Sequence, residues 1–291
     1  MTLKMSNDGL KRSKDFIMNE GRKLEQEIYR FEFEGGTKEA VISALEEYQN
    51  SDGGFSGYGE GDWDESNAMD TNMAFQTLVH IGATGDEPVV QKAVKYILST
   101  YDFELDYWHQ NPTNQPVGET MLNELWANPG AELIGYLYDY QKLVDNEFLN
   151  HVTEVAIKKL QYLTKAGWFP TLCFLRLSER LDEPRREQVL IYIKSIILDV
   201  VETNPEVWEK FYYPKPYWYA PTPGSPLYPM LHEDAIACLE HEINQQTEQG
   251  NFPLNWDAGE GEAAWKSIWT MDILIALNKY DMIEVGEEVS Q

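Results

Sequence analysis

Cysteine is scarce in this chain: Cys173 and Cys238 are the two among 291 residues. Both sit in apolar, helix-like surroundings, so each reads as a small core residue and a disulfide framework is excluded. Positive charge is also in short supply. Lys and Arg number 23 against 49 Asp and Glu, for a formal charge of −26. A field of that sign repels phosphate backbones and anionic membrane surfaces, which argues against nucleic acid as a partner. The acids fall mostly on helix faces and in loops, where water solvates them. No stretch approaches the ~18 uninterrupted apolar residues of a membrane helix, so stable membrane insertion is not expected. The opening Met1-Thr2-Leu3-Lys4-Met5-Ser6-Asn7-Asp8 has no apolar run of the secretory kind, and a cytoplasmic location is the simplest expectation.

Three further absences narrow the chemistry. The histidines are His80, His109, His151, His232 and His241, and none stands at metal-ligand spacing from another. No glycine-rich phosphate cradle occurs, and no serine sits in a nucleophile-elbow setting. Strand-type alternation is missing as well. No metal and no cofactor are expected.

What the chain does have is helical periodicity, carried by a hydrophobic share of 43% that is enough for a sizeable core. Val89, Val90, Ala93, Val94, Ile97 and Leu98 form one stripe, and Val189, Ile193, Ile196, Ile197, Val200 and Val201 form another. Each follows an Asp-Glu-Pro start, Asp86-Glu87-Pro88 and Asp182-Glu183-Pro184, and in both Tyr-Ile comes eight residues after the proline. A capping Asp with Pro in the first turn removes the unpaired amides of a helix start. Asn128-Pro129 before Gly130-Ala131-Glu132 is a third start of this type. The pattern predicts an all-α protein with helices over 9–33, 37–49, 67–82, 87–100, 130–143, 147–164, 168–180, 184–202, 229–247 and 266–280. Residues 1–291 read as one domain, with roughly the first eight flexible.

A repeat marks the helix ends. Gln49-Asn50-Ser51-Asp52-Gly53-Gly54-Phe55 closes one helix and leads through a polar loop to Asp70-Thr71-Asn72-Met73-Ala74 at the next start. Gln246-Thr247-Glu248-Gln249-Gly250-Asn251-Phe252 keeps the same Gln-to-Phe spacing and leads to Thr270-Met271-Asp272. A worn third copy runs from Gln161 to Gly167-Trp168-Phe169. Hairpins repeated in this way imply a ring or solenoid, because one hairpin cannot bury its own apolar face.

The Gln-x-x-Asp-Gly-Gly-Phe loop followed by Thr-x-x-Ala at a helix start, well kept in the first copy and less so in the others, resembles the QW motif of squalene–hopene cyclases, which recurs in degraded form in protein prenyltransferase β subunits. The resemblance spans most of residues 37–280. It implies an α/α toroid, a barrel of alternating inner and outer helices with five to six hairpins. It also implies that Gln49 and Gln246 each cap the next inner helix while Phe55 and Phe252 pack on it. The prenyltransferase zinc site is not implied. That site needs an Asp two residues before a Cys, and here Thr171 precedes Cys173 and Ile236 precedes Cys238.

Three groups are candidates for a site. Asp62-Trp63-Asp64-Glu65 is similar to the Asp-x-Asp-Asp acid of class II terpene cyclases, with Asp64 as proton donor, although the spacer from Ser66 to Asp70 separates it from the helix start and a solvated acidic loop after a glycine-rich turn explains it better. Asp70 and Glu132 each fall in the first turn of an inner helix and are placed to act as acid and base, although the helix dipole favours acids there regardless of function. The aromatic residues Trp63, Trp108, His109, Tyr217, Trp218, Trp256 and Trp265 lie in long segments between helices, where they can line a pocket or plug the ring. Three long segments, 54–69, 101–128 and 208–228, are expected to meet around the ligand.

Three functions are consistent with this reading. The first is metal-free binding or turnover of a small to medium, isoprenoid-like apolar ligand in the central cavity. The second is a carbohydrate lyase, hydrolase or epimerase using paired carboxylates on a sugar-like ligand. The third is a non-enzymatic binding or assembly module with a filled ring.

Overall fold

The computed structural model describes residues 2–59, 64–110, 123 and 126–284. Its regular elements are helical, and among the described residues extended pairing is limited to isolated bridges. The chain divides into two compact units, one from Ile42–Val200 and one assembled from Met1–Val41 with Val201–Gln291. No helix among the described residues is long and apolar enough to cross a membrane.

The continuous unit contains α4 (Ala68–His80), α5 (Pro88–Ser99), α6 (Ala127–Asp139), α7 (Asn146–Lys159), α8 (Trp168–Ser178) and α9 (Arg185–Val200). Their starts follow from local chemistry. The Asn67 side chain accepts from the Asp70 amide at 2.8 Å, and Asp145 accepts from Glu147 at 2.8 Å and Phe148 at 3.1 Å. Pro88 occupies the first turn of α5, where its missing N–H costs nothing. Burial separates the helices into two kinds. On α5, α7 and α9 the buried residues form one stripe, such as Val189, Ile193, Ile197 and Val200. On α4, α6 and α8 burial extends around most of the helix; on α6 it runs without a break from Pro129 to Leu137. These three pack in order, with α6 between α4 and α8.

The discontinuous unit contains α1 (Asn7–Glu20), α2 (Lys23–Phe33), α10 (Pro205–Lys210), α11 (Pro216–Tyr219), α12 (Tyr228–Gln245) and α13 (Glu262–Lys279). Helix α3 (Lys38–Leu45) spans the boundary between the units. Two differences from the sequence reading arise here. The helix expected over 9–33 is broken at Gly21 and Arg22, both extended. Gly21 lies so close to the preceding turn that a Cβ would stand 2.6 Å from the Ile17 carbonyl oxygen, and Arg22 turns its guanidinium onto Glu25 at 2.6 Å. The start of the chain, expected to be flexible, is tied down. Met5 is buried, its amide donates to the Met282 carbonyl at 2.8 Å, and its own carbonyl accepts from Glu284 at 2.9 Å.

The two Gln-to-Phe loops are built alike. Gln49 Nε2 donates to the Gly53 carbonyl at 3.0 Å and to Val89 in the first turn of α5 at 2.9 Å. Gln246 Nε2 donates to the Gly250 carbonyl at 3.3 Å and to Gly9 in the first turn of α1 at 2.8 Å. Gly53 and Gly250 have φ of 96° and 97°, and a Cβ on either would stand 2.4 Å from Lys92 O or 2.2 Å from Arg12 O. Phe55 and Phe252 are fully buried, and their amides donate to the hydroxyls of Thr71 at 3.1 Å and Thr270 at 3.3 Å. The worn copy differs. Gln161 is exposed and donates only to Lys158 in its own turn, while Tyr192 of α9 donates to the Leu163 carbonyl at 2.8 Å instead.

Candidate functional site

The proposed acids of the continuous unit have distinct fates. Asp64 is exposed, and its carbonyl accepts from Ser56 Oγ at 3.3 Å. Asp70 is fully buried; Oδ2 accepts from Asn67 Nδ2 at 2.9 Å and Oδ1 from the Gly59 amide at 3.2 Å. Its carboxylate therefore closes the Gly-rich loop onto the start of α4. Glu132 is buried between α6 and α8. Arg176 donates to its Oε1 at 2.6 Å, Tyr136 makes a short hydroxyl bond to the same oxygen, and Cys173 Sγ lies 3.5 Å from Oε2. Burial, and then the Glu132 charge, push the Tyr136 hydroxyl and the Cys173 thiol well above their usual ranges. Burial works against the Arg176 charge, and Glu132, Tyr136 and Cys173 together more than restore it.

The aromatic candidates of this unit are structural in their contacts. Trp108 is buried, donates Nε1–H to Ile97 O at 2.8 Å and meets Tyr101 edge-on at 4.6 Å. His109 stands 3.2 Å from Asp102. Asp62 and Trp63 lie outside the described residues, as does most of 111–125.

In the discontinuous unit the remaining candidates come together. Trp256 contacts Tyr212 at 4.7 Å, Trp269 at 5.4 Å and Trp265 at 5.7 Å, measured between ring centroids. Trp218 contacts Tyr212 at 5.6 Å and Trp269 at 5.9 Å, and Tyr217 touches Trp218 edge-on at 6.5 Å. Trp265 and Trp269 share a face of α13 because they are four residues apart. Trp218, Trp256 and Trp265 are half-buried, whereas Tyr217 and Trp269 are buried. Beside Trp256 opens a cleft of about 370 Å³, lined by Thr247, Gln249, Asn251, Asp257, Glu262 and Lys266 among others.

Beneath the aromatic cluster lies an ion pair that the sequence reading missed. Lys215 and Glu242 are both buried and in close contact, and the Lys215 ammonium stands 4.9 Å from the Trp269 ring centroid. Burial, and then the Glu242 charge, raise the Tyr217 hydroxyl and the Cys238 thiol well above their ordinary values. Trp269 was also missed, although its spacing from Trp265 was visible. Lys215 stands inside the prolyl aromatic stretch, and nothing in that stretch marks it as buried. No group of three or more His, Cys, Asp or Glu side chains is placed to hold a metal among the described residues.

Comparison with protein-family models, with curated proteins and with solved structures finds no match.

Proposed function

We propose that this chain is a cytoplasmic α/α toroid that binds a small to medium, largely apolar, isoprenoid-like ligand against the aromatic wall of Tyr212, Trp218, Trp256, Trp265 and Trp269. The toroid part is supported by the bonding of the two Gln loops. Gln49 follows α3 and holds α5, two helices onward; Gln246 follows α12 and holds α1, which is two helices onward only if the succession wraps from α13 to the start. Alternation of one-striped helices with helices buried nearly all round fits inner and outer layers.

The ligand reading rests on one observation, the continuous contact of these rings with several left half-buried. Such a wall offers large apolar area at little entropic cost, since each ring has two torsions to fix. The charge of −26 disfavours anionic ligands at long range. Asp70 and Glu132 do not act as acid and base in this reading, because loop closure and the Arg176 pair already occupy their carboxylates. A second reading, a polyhydroxylated ligand stacked on Trp256, is favoured by the polar lining of the adjoining cleft.

Titration of the purified protein with geraniol and with a panel of oligosaccharides, followed by tryptophan fluorescence and thermal shift, separates the readings. Geraniol is expected to quench fluorescence and raise the melting midpoint, and Trp218→Ala is expected to abolish both effects. A response to a sugar alone selects the second reading. Silence toward both classes overturns the wall as a binding surface.

A further inference from the structure

Trp269 is the ring of this wall whose surroundings leave it incomplete. The buried, described tryptophans otherwise each donate an indole N–H to a backbone carbonyl: Trp108 to Ile97 at 2.8 Å, Trp126 to Asp106 at 2.6 Å and Trp208 to Glu202 at 2.8 Å. Trp269 is 6% exposed, and its Nε1–H has no acceptor among the described residues. Around it stand the rings of Trp256 at 5.4 Å, Trp218 at 5.9 Å and Tyr212 at 6.2 Å. A buried donor without an acceptor is a standing deficit, because water that would satisfy it is kept away. The Lys215 ammonium over the ring face draws π density toward itself, which strengthens the N–H as a donor.

We infer that the indole N–H of Trp269 is the polar anchor of the site, and that the ligand is an apolar body carrying one neutral oxygen acceptor, a hydroxyl, ether or carbonyl. This rests on the aromatic wall being the binding surface. Neutrality follows from the neighbouring charges. A carboxylate or phosphate head needs a cation to offset its desolvation, and the cations at hand, Lys215 beneath the wall and Lys266 in the adjoining cleft, are already paired with Glu242 and Glu262. A cationic head would compete with Lys215 for the same ring face and would find a donor, not an acceptor, at Nε1. The way in is past the rings around Trp269, since Tyr212, Trp218 and Trp256 are all half-buried.

The test compares geraniol with myrcene, the hydrocarbon of the same carbon skeleton, by isothermal titration on the full chain. Wild-type protein is expected to bind geraniol roughly five- to tenfold more tightly than myrcene, the worth of one hydrogen bond. Trp269→Phe keeps a ring and deletes the N–H. It is expected to erase that preference, lowering geraniol affinity roughly five- to tenfold more than it lowers myrcene affinity. If Trp269→Phe keeps the preference for geraniol, or if wild type shows none, the anchor is wrong and the wall stands. If wild type binds neither probe, wall and anchor fall together. A readout on wild type covers the case of a variant that does not fold. In 15N-tryptophan-labelled protein, the Trp269 indole proton, assigned through its contacts to Tyr212 and Trp218, is expected to move downfield with geraniol and stay in place with myrcene. A proton that moves equally with both, or with neither while both bind, overturns the anchor.

Discussion

Single residues in this molecule separate into those that hold structure and those that do not, and the acids show it most sharply. Glu132 is nearly inaccessible and faces Arg176, whose side chain is about a third exposed. Glu132→Gln leaves that guanidinium without its counter-charge, and the expected loss is about 3 kcal/mol, the low end for breaking a buried pair because Arg176 still reaches water. Asp64→Asn, at an exposed position, is expected to change stability by less than about 0.5 kcal/mol. Urea unfolding of the two variants checks both values, and equal losses would contradict the assignment. The sequence placed both acids in loops or first turns. It carried no sign that one of them meets an arginine 44 residues later, because that meeting depends on α6 and α8 lying side by side.

Among elements, the Gln-to-Phe loops were legible in advance and the helix contacts they make were legible in part. Repeated spacing alone pointed to Gln49 and Gln246, and both hold the first turn of a helix. Gln49→Ala is expected to raise hydrogen exchange in the first turns of α5, and Gln246→Ala in those of α1. Gln161→Ala is expected to leave α9 unchanged, since Gln161 bonds within its own turn. Uniform exchange across the three variants would argue against the loops as helix clamps. The glycines are stricter still. Gly53→Ala and Gly250→Ala combine positive φ with a Cβ driven against a carbonyl oxygen at 2.4 or 2.2 Å, so each is expected to cost more than about 1 kcal/mol in thermal unfolding. The break at Gly21 was not anticipated, because the apolar period continues across it and the close approach to Ile17 is visible only in the folded backbone.

For the molecule as a whole, the buried titratable groups set an alkaline limit. Burial, and then Glu132 and Glu242 respectively, push the Cys173 and Cys238 thiols well above the ordinary thiol range. A group raised in the folded state stays protonated there while the unfolded chain ionises. Its contribution is therefore fully present below the unfolded value and is lost as pH rises toward the folded one. The melting midpoint is expected to hold from pH 7 to about 9 and to fall above it, and replacing both cysteines by Ala should flatten the first part of that fall. A disulfide-exchange reagent at pH 8 should react with neither thiol until the protein unfolds. Rapid labelling of the native protein would show that the thiols are not enclosed.

By itself the sequence determined the helical class, most helix spans and the two clamp loops. These depend on short-range periodicity, on caps within a few residues and on the φ that glycine alone adopts readily, all of which are written locally. Only the tertiary structure decided which polar groups became buried partners. Lys215 with Glu242 and Arg176 with Glu132 are joined across 27 and 44 residues, and the Trp269 N–H, without an acceptor among the described residues, is surrounded by rings from the prolyl segment and the Trp256 loop. Whether a charged or polar side chain is solvated or enclosed depends on what packs over it, and that is set by distant segments that local sequence does not name.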